Sequence, residues 1–145
     1  MTEYAHERLD RHERLHALIA MMRDKQVAYA VVRCCANQVM VHMMRNTPHE
    51  PLLAESDGHA RSPLARHDVA MRRCFEAIFG SLTEEQWGQV QLTAADGGFG
   101  ILSQRRRAPL AELAGFCDAF RILHSRVLSG ICGTTPSWNY PTCGA

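Results

Sequence analysis

Residues 26–45 read QVAYAVVRCCANQVMVHMMR, and this stretch decides the fold that the sequence predicts. Apolar side chains fall on every side of a helix drawn through it, which is typical of a helix enclosed by other helices. The β-branched residues at 27–32 would also suit a short strand, but the uninterrupted length to Arg45 favours a helix. We therefore expect residues 26–45 to form the core helix of the domain.

Four further segments show helical periodicity or helix-start signals. Ser62 followed by Pro63 is a favoured N-cap and first helical residue, and Thr83 to Gln86 match the reciprocal capping box. The segments predicted to be helical are residues 2–24, 62–80, 83–91 and 109–130. The last of them carries an apolar stripe made of Leu110, Leu113, Cys117, Phe120, His124 and Val127.

Turn-forming residues separate these segments. Residues 49–61 are predicted to form a loop, and residues 96–100 (Asp-Gly-Gly-Phe-Gly) a glycine-rich turn. Residues 130–145 contain Gly and Pro without periodicity, which indicates an unstructured tail. The sequence thus predicts a single all-α domain of about five helices at residues 1–129, followed by a disordered tail at residues 130–145.

The charge balance excludes a strongly polyionic protein. Sixteen basic residues oppose fifteen acidic ones, for a formal net charge of +1, so no whole-molecule field attracts nucleic acid or an anionic membrane. The polar N-terminus lacks the apolar core of a signal peptide, and the most apolar stretch is far shorter than the roughly 20 residues that span a bilayer. We expect a cytosolic or nuclear chain that does not cross a membrane.

No motif for a metal, a cofactor or a catalytic nucleophile stands out. Zinc modules pair cysteine and histidine ligands at short spacings that are absent here, and the glycine turn lacks the lysine and the spacing of a phosphate-binding loop. His12, Glu13 and His16 match the short H-E-x-x-H spacing of metal-binding helices, but the match does not extend to the longer motif, since Ile19 and Met22 stand where that motif has Gly and a third His. A solvated polar face is the favoured interpretation of these two histidines and His6. The sequence therefore predicts no cofactor, no metal and no catalytic residue.

Six cysteines in a chain without a secretory signal are expected to be reduced thiols. Cys34, Cys35, Cys74 and Cys117 fall within helical apolar patterns, where cysteine packs as a small hydrophobe. An alternative hypothesis makes Cys34 and Cys35 the thiols of an oxidation sensor.

Arginines form the candidate nucleic-acid site. Arg105, Arg106 and Arg107 are the one dense basic cluster of the sequence, and together with Arg72 and Arg73 they would form a patch that grips a nucleic-acid backbone. The alternative is a solvated helix face. Aromatic residues that would stack on bases are scarce near these positions.

Six short motifs, taken in order, carry a family resemblance. Their order and spacing resemble the segment that follows the palm domain in non-LTR-retrotransposon-type reverse transcriptases, from about Leu15 to Ser125. Thr93 and Phe99 depart from that pattern, which has Pro and Leu at these places. The motifs are Cys34-x-x-Asn37, Arg45-Asn46-Thr47-Pro48, Ala65-Arg66-His67-Asp68, Trp87 to Leu92, Gly97-Gly98-Phe99-Gly100, and Ser103 with Ala108-Pro109.

The resemblance implies a thumb-like, template-primer-supporting fragment of an RNA-directed DNA polymerase. The palm of that family carries paired aspartates that bind the catalytic metals, and no Asp-Asp pair occurs in this sequence. The fragment is thus expected to be no enzyme on its own. The implied partners are an RNA–DNA or DNA duplex and a palm-bearing polymerase chain.

The rival hypothesis is a small helical protein–protein interaction domain with no nucleic-acid role. In that case the methionine-rich segment from Val39 to Met44 would supply an adaptable apolar contact surface.

Overall fold

A computed structural model of the chain describes residues 2–55 and 61–128. No strand occurs in these two ranges, so the all-α prediction is confirmed. Single turns of 3-10 helix lie at Ala36–Gln38 and Ala94–Asp96, and a π-helical turn at His124–Leu128 continues the last helix. The tail predicted at residues 130–145 lies outside the described residues. The described ranges contain seven α-helices: α1 (Thr2–Ala20), α2 (Lys25–Cys34), α3 (Val41–Asn46), α4 (His49–Leu53), α5 (Pro63–Phe79), α6 (Glu84–Val90) and α7 (Gln104–Leu123).

The segment 26–45 is not one helix, and that prediction was wrong. Helix α2 ends at Cys34, a 3-10 turn follows, and α3 begins at Val41. At the break Asn37 is fully buried, and its side-chain amide donates a hydrogen bond to the Gly100 carbonyl. The contact joins residues far apart in sequence, so apolar periodicity along 26–45 could not indicate it.

The predicted loop at residues 49–61 also contains structure. Residues His49–Leu53 form α4, whose Leu52 is completely buried. This helix and the break after Cys34 together explain why the described residues hold more helices than the sequence pattern predicts.

Helix starts follow the local signals closely. The Asp24 side chain accepts hydrogen bonds from the backbone amides of Gln26 and Val27, and so begins α2. Ser62 caps α5 with Pro63 as its first residue, and the Thr83–Gln86 capping box is complete at the start of α6. The predicted starts at Ser62 and Thr83 are confirmed, because caps depend on residues only two or three positions apart.

Helix α5 is the central element, and it contributes to two apolar clusters. The first cluster joins α1, α2, α5 and α6 around Phe75, Met71 and Val32. The second joins α1, α3, α4, α5 and α7 around Leu64 and Leu52. Full burial of such a side chain stabilises the fold by about 1.5–3 kcal/mol. None of the helices in the described ranges has the length and apolar character required to span a membrane.

Candidate functional site

Residues from three of the six sequence motifs, Asn37, Asp68 and Ser103, meet in a partly buried polar network at the start of α7. Asp68 of α5 accepts hydrogen bonds from the Ser103 hydroxyl (2.6 Å) and from the Gln104 backbone amide (2.8 Å). The Gln104 side-chain amide in turn donates to the backbone carbonyl and the side-chain oxygen of Asn37, at 2.9 and 3.0 Å. A carboxylate at a helix N-terminus is stabilised by the free amides and the helix dipole. The network therefore fixes α7 on α5, while the buried side-chain oxygen of Gln104 has no hydrogen-bond partner within the described structure.

The glycine turn serves the same junction. Gly97 and Gly100 have φ values of 77° and 70°, and a Cβ on Gly98 would lie 2.3 Å from the Leu92 carbonyl oxygen. All four amides of residues 97–100 donate to backbone carbonyls between Val90 and Ala94. These four amides are therefore not available to bind an anion, which agrees with the prediction that residues 96–100 form a turn and not a phosphate-binding loop.

Arg72, the first arginine of the predicted nucleic-acid patch, is already engaged. Its guanidinium donates to Glu76 (3.0 Å) and Glu84 (2.5 Å) and to the Leu82 carbonyl (3.2 Å), and it lies over the Trp87 ring. The hydrogen bond to Glu84, followed by that to Glu76, raises the pKa of Arg72. Arg72 joins α5 to α6 and has little capacity left for phosphate.

The other four arginines differ in their exposure and in their contacts. Arg73 is exposed and lines a cavity on the side of α5 that faces α1. Arg107 is half-buried and donates to the Gln38 side chain at 3.3 Å, and burial lowers its pKa. Only Arg105 and Arg106 project from the first turn of α7 as exposed cations.

Helix α7 carries a large apolar surface that no other described residue covers. One side of this helix packs on the domain, where Gln104 and Ala108 are buried. There Asp118 forms an ion pair with Arg45, and Glu112 accepts a hydrogen bond from the His49 backbone amide. At about 100° per residue, seven residues share an arc of roughly 140° on the other side. We call this surface the α7 face; its residues are Leu110, Leu113, Phe116, Cys117, Phe120, Leu123 and Val127.

The α7 face is strongly exposed. Its leucines, phenylalanines and valine are 50–69% exposed, and four of these residues belong to the predicted stripe: Leu110, Leu113, Phe120 and Val127. Contiguous apolar surface of this kind is uncommon on a monomer and marks a contact site. The sequence revealed the stripe but not the absence of a packing partner among the described residues.

The predicted methionine contact surface is instead part of the core. Met40 and Met44 are completely buried, and they pack in the second apolar cluster. That prediction was wrong, because the Val39–Met44 segment lies between α1, α5 and α7 rather than on the outside.

The prediction of a solvated histidine face was also wrong. His6 and His16 are 3% and 4% exposed, and His67 of α5 is fully buried. The His67 ring centroid lies 5.6 Å from that of His16 and 6.5 Å from that of His12. His12 and His16 occupy the core stripe of α1 at helical spacing after Leu9, and this spacing is the signal that could have identified them.

Burial dominates the chemistry of this histidine cluster. It lowers the pKa of His16 to about 4 and that of His67 to about 3, with the neighbouring histidines adding to the shift. The rings are therefore neutral at pH 7. The described residues contain no group of histidine, cysteine and carboxylate side chains arranged to hold a metal ion.

The four cysteines within residues 2–55 and 61–128 divide into two classes. Cys34, Cys35 and Cys117 are exposed free thiols, so the prediction that they pack as small hydrophobes was wrong for these three. Cys74 is buried as predicted, and burial raises its pKa to about 11.

Comparisons with known proteins find no match for this chain among family models, curated proteins or solved structures.

Proposed function

We propose that this chain is a non-catalytic helical module that works docked on a larger protein through the α7 face. The partner that the sequence resemblance suggests is a palm-bearing polymerase chain of the non-LTR reverse-transcriptase type. In that complex the module would brace the template-primer duplex beside the palm.

The observation that carries this proposal is the exposure of the α7 face. Phe116 and Phe120 are 69% and 63% exposed, although each would gain about 1.5–3 kcal/mol on burial. The opposite side of α7 is held firmly by the Asp68 network and by close approach of Gly115 to the Arg45 carbonyl. A rigid helix whose apolar face is left open by the described part of the chain is what a docking element requires.

The charges at the ends of this face fit a partner that carries nucleic acid. Arg105 and Arg106 are exposed at the N-terminal end, and Arg121 lies beside the face near its other end. Guanidinium groups suit phosphate contacts, and these three would border the docked surface rather than lie under it.

A second candidate function is a protein–protein interaction domain without a nucleic-acid role. It is favoured by the occupation of Arg72 with two carboxylates and by the partial burial of Arg107. These contacts remove two of the five arginines from the predicted patch. The α7 face would then be the whole functional surface.

The docking test compares two sets of exposed apolar residues. We expect the Phe116→Ser, Phe120→Ser double variant to weaken binding to a purified palm-containing reverse-transcriptase fragment by about 100-fold or more, since two anchors of about 1.5–3 kcal/mol are lost. Binding is measured by fluorescence anisotropy. Leu18→Ser on α1 is the matched control, since Leu18 is 65% exposed and lies outside the face. Equal effects of the two changes, or no binding by the unmodified chain, would contradict the docking role.

The nucleic-acid test uses an RNA–DNA duplex at several salt concentrations. If Arg105 and Arg106 contact phosphates, replacing both with Gln lowers the slope of log K against log salt by about 2. An unmodified chain whose duplex binding is absent at low salt, or independent of salt, favours the second candidate.

A further inference from the structure

We infer that a cavity between α1 and α5 binds a small organic anion, one with a phosphate or carboxylate head and an apolar body. No residue of α7 lines this cavity, so the site is separate from the proposed docking surface.

Small side chains on the two helices create the space. The cavity has a volume of about 710 Å³, which lies within the range of pockets that hold small molecules. Its apolar lining would contact the body of a ligand without filling the space. That lining consists of Ala17, Ala20, Val69, Ala70 and Ala77.

The charged side chains of the lining favour an anion. Glu13 is the single acidic residue of the lining, and both of its oxygens accept hydrogen bonds from Arg66, at 2.8 and 2.9 Å. Arg66 also donates to Asp10 at 2.6 Å, so its guanidinium is occupied.

Two further arginines, Arg61 and Arg73, line the cavity and are exposed. Neither forms an ion pair with another residue in the described ranges. The planar guanidinium fork matches the oxygens of phosphate and carboxylate groups. The cavity therefore offers cationic donors beside an apolar surface.

A buried polar side chain supplies the second observation. His16 lines the cavity, is 4% exposed, and has no hydrogen-bond partner at either ring nitrogen within the described structure. Because burial holds its pKa at about 4, the ring is neutral at pH 7 and offers one donor and one acceptor. Buried polar groups are normally hydrogen-bonded, so a ligand that reaches His16 would complete an unsatisfied site.

The test is calorimetric titration of the purified chain with three probes: octyl phosphate, octanoate and inorganic phosphate. We expect one of the first two to bind and inorganic phosphate to bind more weakly, because it lacks an apolar body. Binding of octyl phosphate alone assigns a phosphate head, and binding of octanoate alone assigns a carboxylate head. The His16 ring signals in NMR spectra should shift on binding.

Matched variants make the site falsifiable. Arg73→Gln should weaken binding by about tenfold or more, whereas Arg106→Gln, the same charge change on α7, should not. Ala17→Leu should block the cavity, and Ala30→Leu on an exposed position of α2 is its control. Failure of all three probes to bind at 10 mM, equal effects of Arg73→Gln and Arg106→Gln, or full binding by Ala17→Leu would overturn the inference.

Discussion

Lowering the pH from 7 to 5 should destabilise the fold through two histidines that are buried side by side. His16 faces Glu13, His12 and His67, while His67 faces His12, His16 and the backbone of Ala36. Burial, the largest effect for both, holds the pKa at about 4 for His16 and about 3 for His67. Both folded-state pKa values lie below the ordinary value of 6.5.

The sign of the effect follows from proton binding. Below pH 6.5, His16 and His67 each take up a proton in the unfolded chain. In the folded chain the same two rings stay neutral down to about pH 4, so acid favours unfolding. Each of the two histidines lowers the free energy of unfolding by about 1.4 kcal/mol per pH unit, or by about 2 kcal/mol between pH 6.5 and 5. The two together remove about 4 kcal/mol, a large part of the 5–15 kcal/mol of a typical domain. Full stability is present above pH 6.5.

Urea denaturation followed by circular dichroism at pH 7, 6 and 5 measures this loss directly. His67→Met removes one titrating ring at similar volume, so the fall in unfolding free energy should shrink to about 2 kcal/mol, whatever the variant's stability at pH 7. His42→Gln replaces an exposed histidine and is the control. The reasoning is refuted if the unmodified chain loses less than about 1 kcal/mol, or if His67→Met loses as much as the unmodified chain.

Two predictions concern the attachment of α7. Gly115→Ala would place a Cβ 2.0 Å from the Arg45 carbonyl oxygen and should lower the free energy of unfolding by at least about 1–3 kcal/mol. Gly88→Ala is the control, because its Cβ meets nothing within 4 Å, and it should stabilise α6 by about 0.5–1 kcal/mol. Opposite shifts in Tm are expected, and equal shifts would argue against close packing of α3 on α7. Asp68→Ala removes the cap of α7 and should cost about 1–2 kcal/mol in urea denaturation, with a smaller loss for Asp68→Asn, which retains one acceptor oxygen. An unchanged unfolding midpoint for Asp68→Ala would contradict the capping role.

The candidate surface was only partly predictable. Helical spacing identified the stripe on α7 that contains Phe120, and inspection of the sequence identified Arg105 and Arg106 as a basic cluster. Spacing along one helix indicates which side chains lie on the same face of that helix. It does not indicate whether another helix packs on that face. Likewise the residue type of Arg72 indicates a cation, whereas its occupation by Glu76 and Glu84 depends on the place of α6 beside α5.

The sequence alone determined the all-α class and the starts of α5 and α6, because capping and helical periodicity act over a few neighbouring residues. Only the tertiary structure decided the break at Asn37, the burial of His16 and His67, and the exposure of the α7 face. Each of these depends on contacts between residues more than 40 positions apart, or on their absence. Such contacts form only when the chain packs, and no local pattern encodes which partners will meet.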